Sequence, residues 1–129
     1  MMRYDSELEG HDELTGGIIG AALEVHRELG PGLLESTYEK CLCLELETQK
    51  IEFARQTLVP ILYKGQTIEA VYRLDLVVDN SVIIEIKAVE KLLPVHDAQL
   101  LTYMRHTGVR TGLLFNFNEP VLKIKRLSL

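Results

Sequence analysis

The segment Arg73–Lys87, RLDLVVDNSVIIEIK, constrains the fold more than any other stretch of this chain. Two runs of alternating, β-branched-rich residues flank Asp79-Asn80-Ser81, which is the pattern of a hairpin. With the loop centred on Asn80, Asp75 faces Glu85, Arg73 faces Lys87 and Val77 faces Ile83. The alternate positions then pair Leu74 with Ile86, Leu76 with Ile84 and Val78 with Val82. One face is apolar throughout, and a slip of one residue would push charges into it, so the register is strongly specified. The same register sets two carboxylates against each other, with Lys87 beside one of them. Like charges opposite one another destabilise a sheet unless something neutralises them.

The rest of the chain builds a frame around this hairpin. Leu14, Ile18, Ala22, Val25 and Leu29 recur at helical spacing, and the Gly-Pro-Gly of residues 30–32 ends that helix. A second helix is expected from about Leu33 to Lys50, nearly apolar all round between Cys41 and Leu46 and so buried on a sheet. Residues 57–89 read as three strands, with an additional hairpin turn at Lys64-Gly65. Pro94 opens a third helix that runs to about His106 and closes at Gly108, and TGLLFNF and VLKIKRL read as two last strands. The order α, α, β, β, β, α, β, β predicts an α/β or α+β fold, a sheet flanked by helices. Residues 1–12 read as a loose, acidic lead-in to a single domain spanning 1–129.

Composition narrows the function. The chain has 129 residues, 47% of them hydrophobic, enough for a core without disulfides. A net charge of −5 gives no global field toward nucleic acid or an anionic membrane. The clusters Lys91, Arg105, Arg110 and Lys123, Lys125, Arg126 read first as solvated surface. Cys41 and Cys43 lie two apart on a helix, pointing in different directions, and read as inert thiols in a reducing cytosol. The longest N-terminal apolar run, GIIGAALEV, is too short to cross a bilayer, so the expectation is a cytoplasmic protein without a membrane partner.

A divalent cation would neutralise the Asp75–Glu85 pair. Mg²⁺ takes one or two carboxylates, a carbonyl and retained waters, and the Ile86 carbonyl lies between Glu85 and Lys87. The competing reading is a solvated edge strand, with Glu85 and Lys87 as a surface salt bridge.

Asp75 followed by Glu85-Ile86-Lys87 resembles the D…ExK core of the PD-(D/E)xK nuclease superfamily. Gly32, Glu35 and Tyr38, in GLLESTY, resemble the motif of the GxxExxY proteins, placed in that superfamily. The likeness runs from about Ile18 to Arg126, and it departs from the pattern where YRLDL replaces the superfamily's Pro-Asp. It implies a restriction-endonuclease-like core with a mixed central sheet, and Mg²⁺ or Mn²⁺ held by Glu35, Asp75, Glu85 and the Ile86 carbonyl. Lys87 and Gln99 would join these acids in catalysis on nucleic acid, expected to be DNA. Gln99 and Tyr103, four apart in QLLTY, resemble the Q-x-x-x-Y element of related exonucleases, and Tyr38 and Tyr103 would position substrate.

Each of these residues has a plainer reading. Glu35 suits a first helical turn by itself, Tyr38 can be core, and Gln99 can be a surface amide. Two functional rivals stand beside the nuclease: an inactive nuclease-fold module that binds nucleic acid or a protein partner, and a glycosidase using both carboxylates. The absence of tryptophan argues against the glycosidase. Self-association as a homodimer is expected, because so small a domain grips a duplex poorly alone.

Overall fold

A computed structural model describes residues 12–129. The lead-in expected over residues 1–12 therefore lies, up to residue 11, outside the described residues. Helix α1 (Glu13–Leu29) starts at Asp12, whose carboxylate accepts from the Thr15 N–H at 3.0 Å. It stops at Gly30, where φ is +65° and the N–H donates to the His26 carbonyl. Helix α2 (Glu35–Thr48) begins two residues later than its leucine-rich pattern predicts, because Leu33 and Leu34 remain outside it and exposed. The predicted all-round burial of Cys41–Leu46 fails at Leu44, which is 61% exposed; only one side of α2 meets the sheet.

Strands β1 (Phe53–Tyr63) and β2 (Gln66–Val78) form a long hairpin around Lys64-Gly65, both with left-handed backbone, as a two-residue turn requires. Strand β3 (Val82–Lys87) follows the Asp79–Ser81 loop. Helix α3 (Pro94–Thr107) crosses over to β4 (Thr111–Asn116), and β5 (Lys123–Ser128) closes the chain. The five strands lie in the order β1-β2-β3-β4-β5, antiparallel except for β3 and β4, which the α3 crossover makes parallel. This mixed sheet with flanking helices is an α+β fold consistent with a restriction-endonuclease-like core.

Apolar side chains fill both sides of the sheet. Ile18, Val25, Leu42, Leu46, Ile84 and Phe115 pack with α1 and α2 on one face. Val59, Ile83, Leu100, Met104 and Leu114 pack with α3 on the other. Gly112 allows α3 to lie close: a Cβ there would stand 2.8 Å from the Met104 sulfur and 2.9 Å from Leu100. Among the described residues no helix is long and apolar enough to cross a membrane.

The predicted register between β2 and β3 is present at Val78–Val82, Val77–Ile83 and Leu76–Ile84, and there the ladder ends. The expected ladder pairs Asp75–Glu85, Leu74–Ile86 and Arg73–Lys87 do not form. Leu74 is buried, but with the α3 side of the core, whereas Leu76 and Val78 lie on the α1 and α2 side. The change of face coincides with a backbone break on the neighbouring strand. Gln56 falls between the pairs Arg55–Leu76 and Thr57–Leu74, hence opposite Asp75, and its φ is +50°. A left-handed residue inside a strand breaks the strict alternation of faces. The single apolar face predicted by alternation therefore ends at Asp75.

Candidate active site

Where β2 and β3 part, the two acids take over the work of the strand backbones. The Asp75 N–H donates to Glu85 Oε2 at 3.1 Å, and the Ile86 N–H donates to Asp75 Oδ2 at 2.7 Å. Each carboxylate thus occupies a place that a strand carbonyl would otherwise fill, which keeps the buried N–H groups satisfied. Asp75 Oδ1 and Glu85 Oε1 carry no hydrogen bond among the described residues. Glu85 is only 6% exposed, since its strand is also fully paired to β4 on the other side.

Electrostatics follow from this burial. Desolvation, then the facing Asp75 charge, pushes the Glu85 carboxyl up to about 8, against the pull of the Asp75 N–H and Lys87. Asp75 is pushed upward too, first by desolvation and in part by Glu39 and Glu35, while the Ile86 N–H and Lys87 act the other way. Two acids that burial pushes toward their neutral forms are a pair that a cation would stabilise as carboxylates.

Helix α2 delivers the third acid. Glu35 Oε2 accepts from the Ala88 N–H at 3.2 Å, immediately beyond the end of β3, and its charge reaches both Asp75 and Glu85. Glu35 is exposed, however, and among the described residues no group of three or more His, Cys, Asp or Glu is arranged to hold a metal ion. Lys87 ends β3, half-buried, close enough to act on both strand acids. From the opposite side of the sheet, α3 brings Tyr103. Its hydroxyl is pushed upward by desolvation and then by Glu85, and its ring tilts against Tyr72 at a centroid distance of 4.7 Å. Gln99 is exposed one turn earlier on α3 and has no hydrogen bond linking it to the carboxylates among the described residues.

Tyr38 has a structural place. It is fully buried, stacked on Phe117 at 4.5 Å, and its hydroxyl donates to the Gly30 carbonyl and accepts from the Leu33 N–H. The ring therefore latches the Gly30–Leu33 loop that launches α2, and so sets where Glu35 emerges. We expect Tyr38→Phe to lower the unfolding free energy by about 1 kcal/mol, because it removes two part-buried hydrogen bonds that hold the Gly30–Leu33 loop. Denaturant unfolding measures this, and an unchanged midpoint would show the latch to be idle.

Two histidines, His26 and His96, likewise have structural partners. His26 Nε2 meets the Glu119 carbonyl at 2.8 Å, and His96 Nδ1 accepts from the Leu93 N–H at 2.9 Å where α3 begins. Cys43 is buried, and desolvation pushes its thiol up to about 11, in keeping with an inert role. The sequence reading missed three residues. Glu39, 5% exposed, accepts from Arg55 Nε at 3.1 Å and Nη2 at 2.9 Å, and from Gln56 Nε2 at 2.8 Å. These partners lie 16 and 17 residues away in sequence, so no local pattern announces them.

A mixed sheet whose antiparallel central pair opens around two facing acids, with a lysine at the end of the same strand, defines a nuclease-type core. The chain belongs to the PD-(D/E)XK nuclease superfamily, whose model matches residues 12–127. That membership implies a nucleic-acid substrate, and nucleases of this superfamily generally use divalent metal ions. No curated protein and no solved structure matches the chain.

Proposed function

We propose that this protein is a metal-dependent nuclease of the GxxExxY type, a single domain that hydrolyses phosphodiester bonds of DNA in the cytoplasm. The observation that supports this best is the Asp75–Glu85 pair. Each acid is latched through one oxygen and keeps the other uncommitted, beside Lys87. That donor set suits Mg²⁺ or Mn²⁺: the two carboxylates and the Ile86 carbonyl would hold the ion, with Glu35, whose charge is felt by both acids, as the further candidate. A divalent ion bound there supplies charge neutralisation at the scissile phosphate and makes a water molecule more acidic.

The residues of the chain do the remainder. Asp75 and Glu85 would hold the cation as carboxylates, and its charge would offset their mutual repulsion. Lys87 places its ammonium beside the phosphate and offsets negative charge that grows as water adds to phosphorus and the bond to the leaving oxygen breaks. Tyr103 and Gln99, one turn apart on α3, orient the strand being cut. The glycosidase reading finds no support in a nuclease superfamily member.

One observation favours the second reading, a binding module without turnover: three acids are not gathered as ligands among the described residues. A cleavage experiment separates the two. Labelled single- and double-stranded DNA and RNA are incubated with the protein in Mg²⁺, in Mn²⁺ and in chelator. The nuclease reading expects products with either ion and none in chelator. Binding without products under every condition would overturn it in favour of the inactive module. Gel filtration with light scattering tests the accompanying proposal of a homodimer.

A further inference from the structure

A nuclease with a net charge of −5 must still hold a polyanion, and Lys87 is a single cation among crowded acids. Arg55 is a further cation that the fold brings to this neighbourhood. It pairs in the sheet with Leu76, the residue next to Asp75. Its Nε and Nη2 edge is bonded to Glu39, an acid buried under the sheet whose charge is felt by Asp75.

That anchoring is unusual in its balance. Glu39 is 7% exposed in its side chain, while the Arg55 side chain is 43% exposed. Here the carboxylate is inside and the guanidinium reaches solvent. Gln56 shares the load on Glu39 through its other oxygen, so the carboxylate is fully satisfied by neighbours from β1. Arginine presents its donors as a rigid planar fork, and fixing one edge orients the other. The Nη1 side, which has no hydrogen bond among the described residues, is therefore preorganised to meet a planar or tetrahedral oxyanion.

We propose that Arg55, held by Glu39, is a phosphate-contacting residue that positions the nucleic-acid backbone beside the Asp75–Glu85 site. The inference rests on the nuclease reading for its substrate, but not on turnover. Lysine would not serve equally, since a single ammonium cannot keep Glu39 and a phosphate in fixed register at once.

Binding tests it without cleavage. Fluorescence anisotropy of a labelled DNA duplex and of the matching single strand is followed in chelator across a salt series. Arg55→Gln is expected to weaken binding about fivefold and to make the slope of log affinity against log salt shallower by about 0.9 on the duplex. Arg55→Lys should keep the wild-type slope while losing part of the affinity. A purely structural pin would lower the melting temperature and leave the slope alone. On the unaltered protein, phenylglyoxal modification of Arg55, mapped by mass spectrometry, should be slowed by the duplex, which carries the test if a variant does not fold.

An unchanged slope in Arg55→Gln, or Arg55 modification indifferent to duplex, overturns the proposal, as does a wild type that binds neither probe. A changed slope in a protein that never cleaves leaves the Arg55 contact standing and removes only the nuclease reading.

Discussion

At pH 8 in a chelating buffer, Glu85→Gln melts about 5–10 °C above the unaltered protein, whereas at pH 5 the two melt nearly together. The expectation comes from the raised Glu85 carboxyl, at about 8 in the fold against 4.5 ordinarily. A group whose folded pKa is raised adds its full stability only below the unfolded value and loses it as pH rises through the folded value. Between pH 4.5 and about 8 the unfolded chain ionises Glu85 while the fold resists, so the wild type loses stability across that window. Asp75 is displaced in the same direction and adds to the effect. Allowing for relaxation and water entry, the loss at pH 8 is on the order of 2–3 kcal/mol, well below the full value of the shift.

Glutamine keeps the shape and can still accept from the Asp75 N–H, but it has no proton to lose. Mn²⁺ should raise the melting point of the wild type at pH 8, because it binds the native carboxylates preferentially, and should do far less for Glu85→Gln. Thermal melts over a pH series, with and without the ion, read both effects. Equal melting of the two proteins at pH 8 would mean that Glu85 is not held against its charge.

Much of this architecture could be read in the sequence, for reasons that differ by element. The stops at Gly30, Gly65 and Gly108 are backbone facts that local composition states directly, since each carries a left-handed φ. The β2–β3 register was legible because alternation admits only one pairing that keeps charges out of the core, and Val78–Val82 to Leu76–Ile84 follow it. The same logic failed at Leu74. Alternation assumes a regular strand, and nothing in TLVP or its surroundings signals that Gln56 turns left-handed across from Asp75.

At the site, the approach of Asp75 and Glu85 was legible from the register up to Leu76–Ile84, although the two acids meet beyond the ladder, each through a bond to the other strand's backbone. Glu39 was not, because a glutamate within a leucine-rich helix looks like any solvated charge until Arg55 folds over it. Tyr38 shows the opposite case: a motif tyrosine invites a role at the substrate, and what the fold shows is a hydroxyl bonded to Gly30 and Leu33, partners that the motif does not announce. The strand that carries the acids was easier to read than the helix that supports them, since support depends on partners distant in the chain.

The second large effect concerns turnover. Asp75→Asn and Lys87→Ala should each reduce metal-dependent cleavage by about 100-fold or more, for different reasons. Asparagine at 75 can still accept from the Ile86 N–H, so the parted strands keep their geometry, but the anionic oxygen that would bind the cation is gone. Alanine at 87 leaves both carboxylates in place and removes the ammonium that offsets charge on the phosphate. Calorimetry with Mn²⁺ distinguishes the two: binding should be lost or greatly weakened in Asp75→Asn and retained in Lys87→Ala.

The most direct measurement is the initial rate of cleavage of one labelled oligonucleotide in Mn²⁺ by the wild type, Asp75→Asn, Glu85→Gln and Lys87→Ala, each shown by its melt to be folded. Turnover by the wild type, with all three variants slowed about 100-fold or more, is the predicted result. Cleavage at the wild-type rate by Asp75→Asn or Glu85→Gln would contradict an active centre built on the facing acids of β2 and β3.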